Sequence, residues 1–314
     1  MEKKTKKLLI LLGILLVLSG ILFGICFFNE KKAERQKAEK EAEKIYVTDL
    51  DEISEIRYDV GNGVFTFEKK EDIWIYMEDS DFPLKQSIPK QIADTFGSLE
   101  AERELKDADA PEDYGLDQPI YTVSLTTADG NTATVEFGDT AGDCYYVKIA
   151  DREQIYTVTA SVLQGLQYTL NELAQFDEYP DIGSGNLAKE TITEKGKTTI
   201  YDSDEEEDVE NIAAVAGGLG AVTLDEAADY SVSDENLSKY GLDEDMRITV
   251  KVVYTEGEEK LENELILYIG KENGSDKRYV MMNDSRIVYL VPATVCDNIL
   301  NVPDEQTDAE KSSE

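Results

Sequence analysis

A four-residue string, Tyr114-Gly115-Leu116-Asp117, returns 126 residues later as Tyr240-Gly241-Leu242-Asp243, and three further landmarks return with it in the same order. Phe137-Gly138 is matched by Ile269-Gly270, Tyr145-Tyr146-Val147 by Arg278-Tyr279-Val280, and Ile155-Tyr156-Thr157-Val158 by Val288-Tyr289-Leu290-Val291. The offset grows to 133 at the last of them, as in one unit built twice with insertions in its loops, where extra length costs little. The chain has 314 residues, enough for about two domains with a core each. The repeat therefore predicts two tandem units, residues 45–180 and 187–302.

Within the first unit, period-two alternation predicts strands near 53–58, 64–68 and 73–77, with Gly61-Asn62-Gly63 as a turn. Further strands are predicted at 121–126, 132–137, 145–149 and 155–158, with a turn at Asp129-Gly130. Between these groups Ser87 opens a helix with Ile88, Ile92, Phe96 and Leu99 on one face, and a second helix starts near Thr159 with Val162, Leu163 and Leu166 inward. The second unit repeats the order: strands at 188–193 and 198–202, a helix carrying Val209, Ile212 and Val215, strands up to Leu290, and a last helix with Val295 and Ile299. The predicted class is α+β: one N-terminal transmembrane helix and stalk, then two repeats of a mainly antiparallel sheet-plus-helix unit.

From Leu8 to Phe28 stand 21 residues without a charge. As a helix they measure about 31 Å, the thickness of a bilayer's hydrocarbon core. A cleaved signal peptide has a shorter apolar stretch and a small-residue exit site, whereas Phe27 and Phe28 run straight into charge. Ile25 stands before Cys26, where a lipoprotein signal carries a small residue. The expectation is a retained single-pass anchor within residues 1–29, with the lipid bilayer as its partner. A solvated helical stalk follows over 30–44, with pairs such as Arg35 and Glu39 at i,i+4 spacing. Basic residues flank the span on both sides, but the leading flank has one acid, Glu2, and the trailing flank five; on that difference the soluble part is expected outside the cytoplasm, at the cell membrane. Residues 303–314 are polar and aperiodic, an expected disordered acidic tail.

Residues 1–44 hold 10 Lys and Arg against 6 Asp and Glu, leaving 21 basic against 61 acidic residues in the rest of a chain whose formal charge is −36. Such a surface repels nucleic acid and disfavours it as a partner, while it attracts cations or a basic partner and keeps copies apart. Histidine is absent, which removes every mechanism needing an imidazole base and the commonest zinc ligand. Cys144 and Cys296 fall at non-equivalent places in the two repeats, which excludes a repeated disulfide framework. The two either form one bridge or stay as buried free thiols, and the second reading is preferred.

The residues that carry chemistry are few. The run Asp202-Ser203-Asp204-Glu205-Glu206-Glu207-Asp208 offers carboxylate oxygens to calcium, but it lacks the glycine and the bidentate acid of an EF-hand loop and equally suits the positive end of the helix that follows. Paired carboxylates for glycoside hydrolysis cannot be picked out from so many acids, and the one tryptophan, Trp74, sits in a core-like alternation. Gly217-Gly218-Leu219-Gly220 follows a helix instead of opening one, so it reads as a helix stop and not as a phosphate cradle. The Tyr-Gly-Leu-Asp strings read as turns that need glycine's backbone freedom and bury Tyr and Leu. No catalytic, cofactor-binding or metal-ligating residue is singled out.

Several of these landmarks together resemble an uncharacterised bacterial family, the domain of unknown function 4340 group. The resemblance rests on Trp74 with Phe82-Pro83-Leu84, Tyr114-Gly115-Leu116-Asp117 with Pro119, Phe137-Gly138-Asp139, Tyr145-Tyr146-Val147 and Ile155-Tyr156-Thr157-Val158, and covers most of 45–302. The second unit is the more divergent copy: Asp245 stands where Pro119 would be and Lys271 where Asp139 would be. The resemblance implies a protein anchored by one N-terminal span, a companion of exporter-type ABC transporters, with no catalytic residues assigned. The function expected is thus a non-catalytic extracytoplasmic accessory or interaction protein. A binding module for a cation or a small or basic ligand is the first alternative, and a carboxylate-based envelope hydrolase the second.

Overall fold

The computed structural model describes residues 44–302 except Asn62 and Glu258; the expected span at Leu8 to Phe28, the stalk up to residue 43 and the tail at 303–314 lie outside the described residues. Among the described residues no helix is long and apolar enough to cross a membrane.

The first repeat runs β1 (Ile45–Tyr46), β2 (Ile53–Asp59), β3 (Val64–Lys70), β4 (Ile73–Tyr76), α1 (Ser87–Gly97), β5 (Glu100–Ala101), β6 (Arg103–Glu104), β7 (Tyr121–Thr127), β8 (Thr132–Ala141), β9 (Cys144–Ile149), β10 (Tyr156–Thr159) and α2 (Ser161–Gln164), followed by α3 (Leu170–Leu173). Eight of these strands form one sheet in the order β4-β3-β2-β7-β8-β9-β10-β6, and β1 pairs with β5. The second repeat runs β11 (Leu187–Glu194), β12 (Lys197–Asp202), α4 (Val209–Leu219), β13 (Ala227–Asp229), β14 (Ile248–Glu256), β15 (Leu261–Glu272), β16 (Lys277–Met282), β17 (Val288–Pro292) and α5 (Ala293–Ile299). Its seven strands follow the order β12-β11-β14-β15-β16-β17-β13, the first order again without the edge strand β4. In both repeats the chain leaves a hairpin, passes through an 11-residue helix, re-enters at the opposite edge and then builds a four-stranded antiparallel meander. The fold is a sheet-rich, mainly antiparallel α+β structure with two sheet units, one internal repeat and few helices.

Alternation decides which residues go inside. Val123 and Leu125 of β7 and Val135 and Phe137 of β8 are buried, and Phe96 of α1 meets Phe137 edge-on with ring centroids 6.5 Å apart. In the second repeat Val250, Val252, Leu265, Leu267 and Ile269 bury against Ile212, Val215 and Leu219 of α4. The helices depart from expectation at their ends. Val209 is 60% exposed because it occupies the first position of α4, one turn short of the packed residues. The helix expected near Thr159 is only four residues long, and its Val162 is half-buried while Leu163 and Leu166 are buried. The strands that periodicity does not reveal, β1, β5, β6 and β13, have two or three residues, too few to show a period.

Two compact units divide the chain. Among the described residues, one holds 44–53, Tyr58–Gly63 and Ala93–Gln164; the other holds Ser54–Arg57, Val64–Ile92 and 165–302. Inside the second unit, Leu84 bridges to Ala174, the Lys85 N–H donates to the Leu173 carbonyl at 2.8 Å, and the Ser231 hydroxyl donates to Asp79 at 2.7 Å.

Candidate functional site

The repeated strings form the same lock twice. Residues Pro111–Tyr114 make a short helical turn that ends on Gly115 at φ +70°, and Asp234–Tyr240 makes one that ends on Gly241 at φ +68°. Leu116 then donates back to the Pro111 carbonyl at 2.9 Å, and Leu242 to Leu237 at 3.0 Å, a helix-terminating pair of bonds that only a left-handed residue closes without strain. Each turn lies on a glycine in a bulged strand. A methyl group on Gly138 would sit 2.2 Å from the Tyr114 carbonyl oxygen, and one on Gly270 would sit 2.2 Å from that of Tyr240. The bulges fall between Phe137 and Thr140 and between Ile269 and Glu272. Ring pairs complete both copies, Tyr114 with Tyr146 at 4.8 Å and Tyr240 with Tyr279 at 5.0 Å. The leucines are buried; the tyrosines are half-buried, kept so by their hydroxyls, which reach the Asp109 N–H and the Asp229 carboxylate.

Other candidate residues serve local structure. Asp202 takes an ion pair from Lys189 at 2.7 Å, which holds its carboxyl below the usual range, and Asp208 accepts from the Asp202 N–H at 3.0 Å and from Asn211 at 3.3 Å. These acids face their own neighbours, and among the described residues no group of three Cys, Asp or Glu is placed to hold a metal ion. Gly217 and Gly218 lie inside α4 and not after it, and Gly220 closes it in a right-handed conformation. Gly218 and Gly220 allow close approach: a methyl group on Gly218 would lie 2.5 Å from the Ile299 backbone nitrogen, and one on Gly220 2.6 Å from the Ile182 carbonyl, whereas one on Gly217 would meet open space. Trp74 is buried in β4. Cys144 and Cys296 are free; Cys296 is buried, and burial pushes its thiol up to about 12, whereas Cys144 is only half-buried.

The second unit also holds a polar concavity. It has about 250 Å³ and is lined by Asp177, Glu264, Met282, Asn283, Asp284 and Ser285, among others. Its inner wall is fixed by Asp177, whose carboxylate accepts from the Ser285 and Tyr289 hydroxyls, while its N–H donates to the Tyr289 oxygen at 2.9 Å. Burial holds the Tyr289 phenol protonated well above its ordinary range. Ser285 Oγ also accepts from the Ile287 N–H at 2.9 Å, so this serine is held in place as a strut and is not poised to attack. Glu264 pairs with Lys251, and Asp284 accepts from Asn283 at 3.0 Å. The three carboxylates are not close enough together to hold a metal ion, but with the Asn283 amide they line an opening of a polarity that suits an amine. Nothing in the residue types marks this place, since its acids come from β15, the β16–β17 turn and the connector that carries Asp177.

The family model described as domain of unknown function (DUF4340) matches residues 74–211 and 203–308, together well over half of the chain. The chain belongs to the DUF4340 family. Searches of the curated proteins and of the solved structures return no match.

One further group in this DUF4340 chain has unusual chemistry. Glu190 projects from β11 into the core with 0% exposure, and neither of its carboxyl oxygens has a hydrogen-bond partner among the described residues. Burial pushes it up to about 8, so it is neutral at pH 7. It stands opposite Tyr201 on β12 and Val252 on β14, and the buried, equally unpartnered Tyr179 hydroxyl is raised by burial first and then by Glu190. A raised carboxyl is what a general acid needs, but Glu190 has no exposed surface and does not line the acidic cavity of the second unit.

Proposed function

We propose that this DUF4340 chain is a membrane-anchored, extracytoplasmic accessory or interaction protein without catalytic activity of its own, working beside an ABC-type exporter. The observation that carries this reading is the doubled lock. The residues that the two repeats share hold each sheet's turn against its bulge, so the copies keep a scaffold and vary the surface it presents. Leu8 to Phe28 supplies the anchor, residues 30–44 the stalk, 45–180 and 187–302 the two domains, and 303–314 a loose tail. Affinity purification of the tagged full-length chain from detergent-solubilised membranes tests the reading. Stoichiometric recovery of a transporter permease or another envelope protein is expected, and recovery of the chain alone would count against it.

The acidic cavity favours a second reading, a module that binds a small basic ligand such as an amine along the wall formed by Asp177, Glu264 and Asp284. Calorimetry with spermidine tests it: heat that disappears in Glu264→Gln supports it, and no heat removes it.

A further inference from the structure

The two repeats close their sheet edges differently. β3 is covered by β4, which pairs with it from Phe67 opposite Tyr76 to Lys70 opposite Ile73. The outer side of β4 is closed in turn by the Gln86 side chain, whose Oε1 accepts from the Trp74 N–H at 2.8 Å and whose Nε2 donates to the Trp74 carbonyl at 2.9 Å, the two bonds a neighbouring strand would make. In the second repeat β12 takes the place of β3 and is itself the edge. Its two sides are distinguished at its end. The Ser203 N–H donates to the Ala188 carbonyl at 2.9 Å on the β11 side, while the Asp202 N–H turns away to Asp208. Backbone groups alternate sides along an antiparallel strand, so Thr198 and Ile200 direct their N–H and C=O groups outward, where nothing pairs with them among the described residues. Ile200 is 53% exposed beside these groups, and six acids from Asp202 to Asp208 follow at the end of the strand. An uncovered edge of this kind is a template for strand addition.

We propose that β12 is a docking edge for an extended, lysine- or arginine-rich segment of a partner protein, which joins the seven-stranded sheet as an antiparallel strand in the way β4 joins β3. Of these acids Asp204 and Glu205 to Glu207 are exposed and select a basic segment, while the chain's formal charge of −36 works against a second copy even though that copy would bring Lys195 and Lys197. The inference rests on the interaction reading above and names the surface through which it operates.

The test titrates the full-length protein in detergent with fluorescein-labelled Lys-Val-Lys-Val-Thr-Val-Lys, its glutamate counterpart, and a version N-methylated at alternate residues, following anisotropy. Ile200→Pro removes an outward N–H and leaves the β11 ladder untouched, because the Ile200 groups face away from β11. Saturable binding of the lysine peptide is expected, weakened about tenfold or more by Ile200→Pro, by N-methylation and by the glutamate exchange. No saturation by about 1 mM, or equal affinity for the proline variant or the N-methylated peptide, overturns the proposal. So does a dimer in analytical ultracentrifugation that Ile200→Pro abolishes while no peptide binds, which assigns the edge to a second copy. The N-methylated peptide keeps the test decisive even if the proline variant misfolds. A transporter recovered from membranes while the peptide fails removes this edge and leaves the interaction function standing.

Discussion

Burying Glu190 without a hydrogen-bond partner makes its protonated form the one the fold accepts, and that couples stability to pH in a definite direction. The carboxyl titrates near its ordinary value of 4.5 in the unfolded chain and near about 8 in the folded one. Below 4.5 both states hold the proton and the group adds no pH dependence. As pH rises toward about 8 the unfolded chain releases the proton first, so stability falls by about 1.4 kcal/mol per pH unit from this group. The acid excess adds its own decline, so the readout is a difference: urea unfolding across this window should show a shallower slope for Glu190→Gln than for the natural protein. Parallel slopes would contradict the buried neutral acid. Alternation places Glu190 on the face of Ile192, yet with 67 acids in the chain nothing in the residue pattern marks the one that goes inside unpaired. The Tyr-Gly-Leu strings, by contrast, are legible as turns because glycine at a helix stop has a local cause.

At the scale of elements, the lock and the closed edge make two separate demands. A side chain at Gly138 or Gly270 would collide with backbone and not with a yielding side chain, so Gly138→Ala and Gly270→Ala should each cost about 1–3 kcal/mol in urea unfolding. An unchanged midpoint for both would show that the bulge gives way. Gln86→Ala should cost about 1–2 kcal/mol and speed deuterium exchange at the Trp74 amide, whose acceptor is the Gln86 side chain. Unaltered exchange there would show that something else closes β4. The long strands and the two 11-residue helices are readable from sequence because alternation and the 3.6-residue face repeat within each. The role of Gly218 is not, since the surface it approaches, Asn298 and Ile299, lies about 80 residues away in sequence and meets it only through the fold.

At the scale of the whole molecule, the doubled sheet is legible in the repeat, because four landmarks in a fixed order specify one topology twice. The edge difference between the copies is not, since it depends on β4, which has no counterpart in the second repeat. The proposed anchor is tested by partition: full-length chain should enter the detergent phase, and a chain starting at residue 44 should stay in the aqueous phase, an outcome that phase separation and immunoblotting read directly. On the function proposed above, these repeats serve a membrane protein. Crosslinking with mass spectrometry on native membranes tests it most directly, with lysines such as Lys189, Lys197 and Lys251 as reporters on the second repeat. Crosslinks from those lysines to a transporter subunit or another integral envelope protein are expected; links confined to this chain and its own copies would overturn the accessory role.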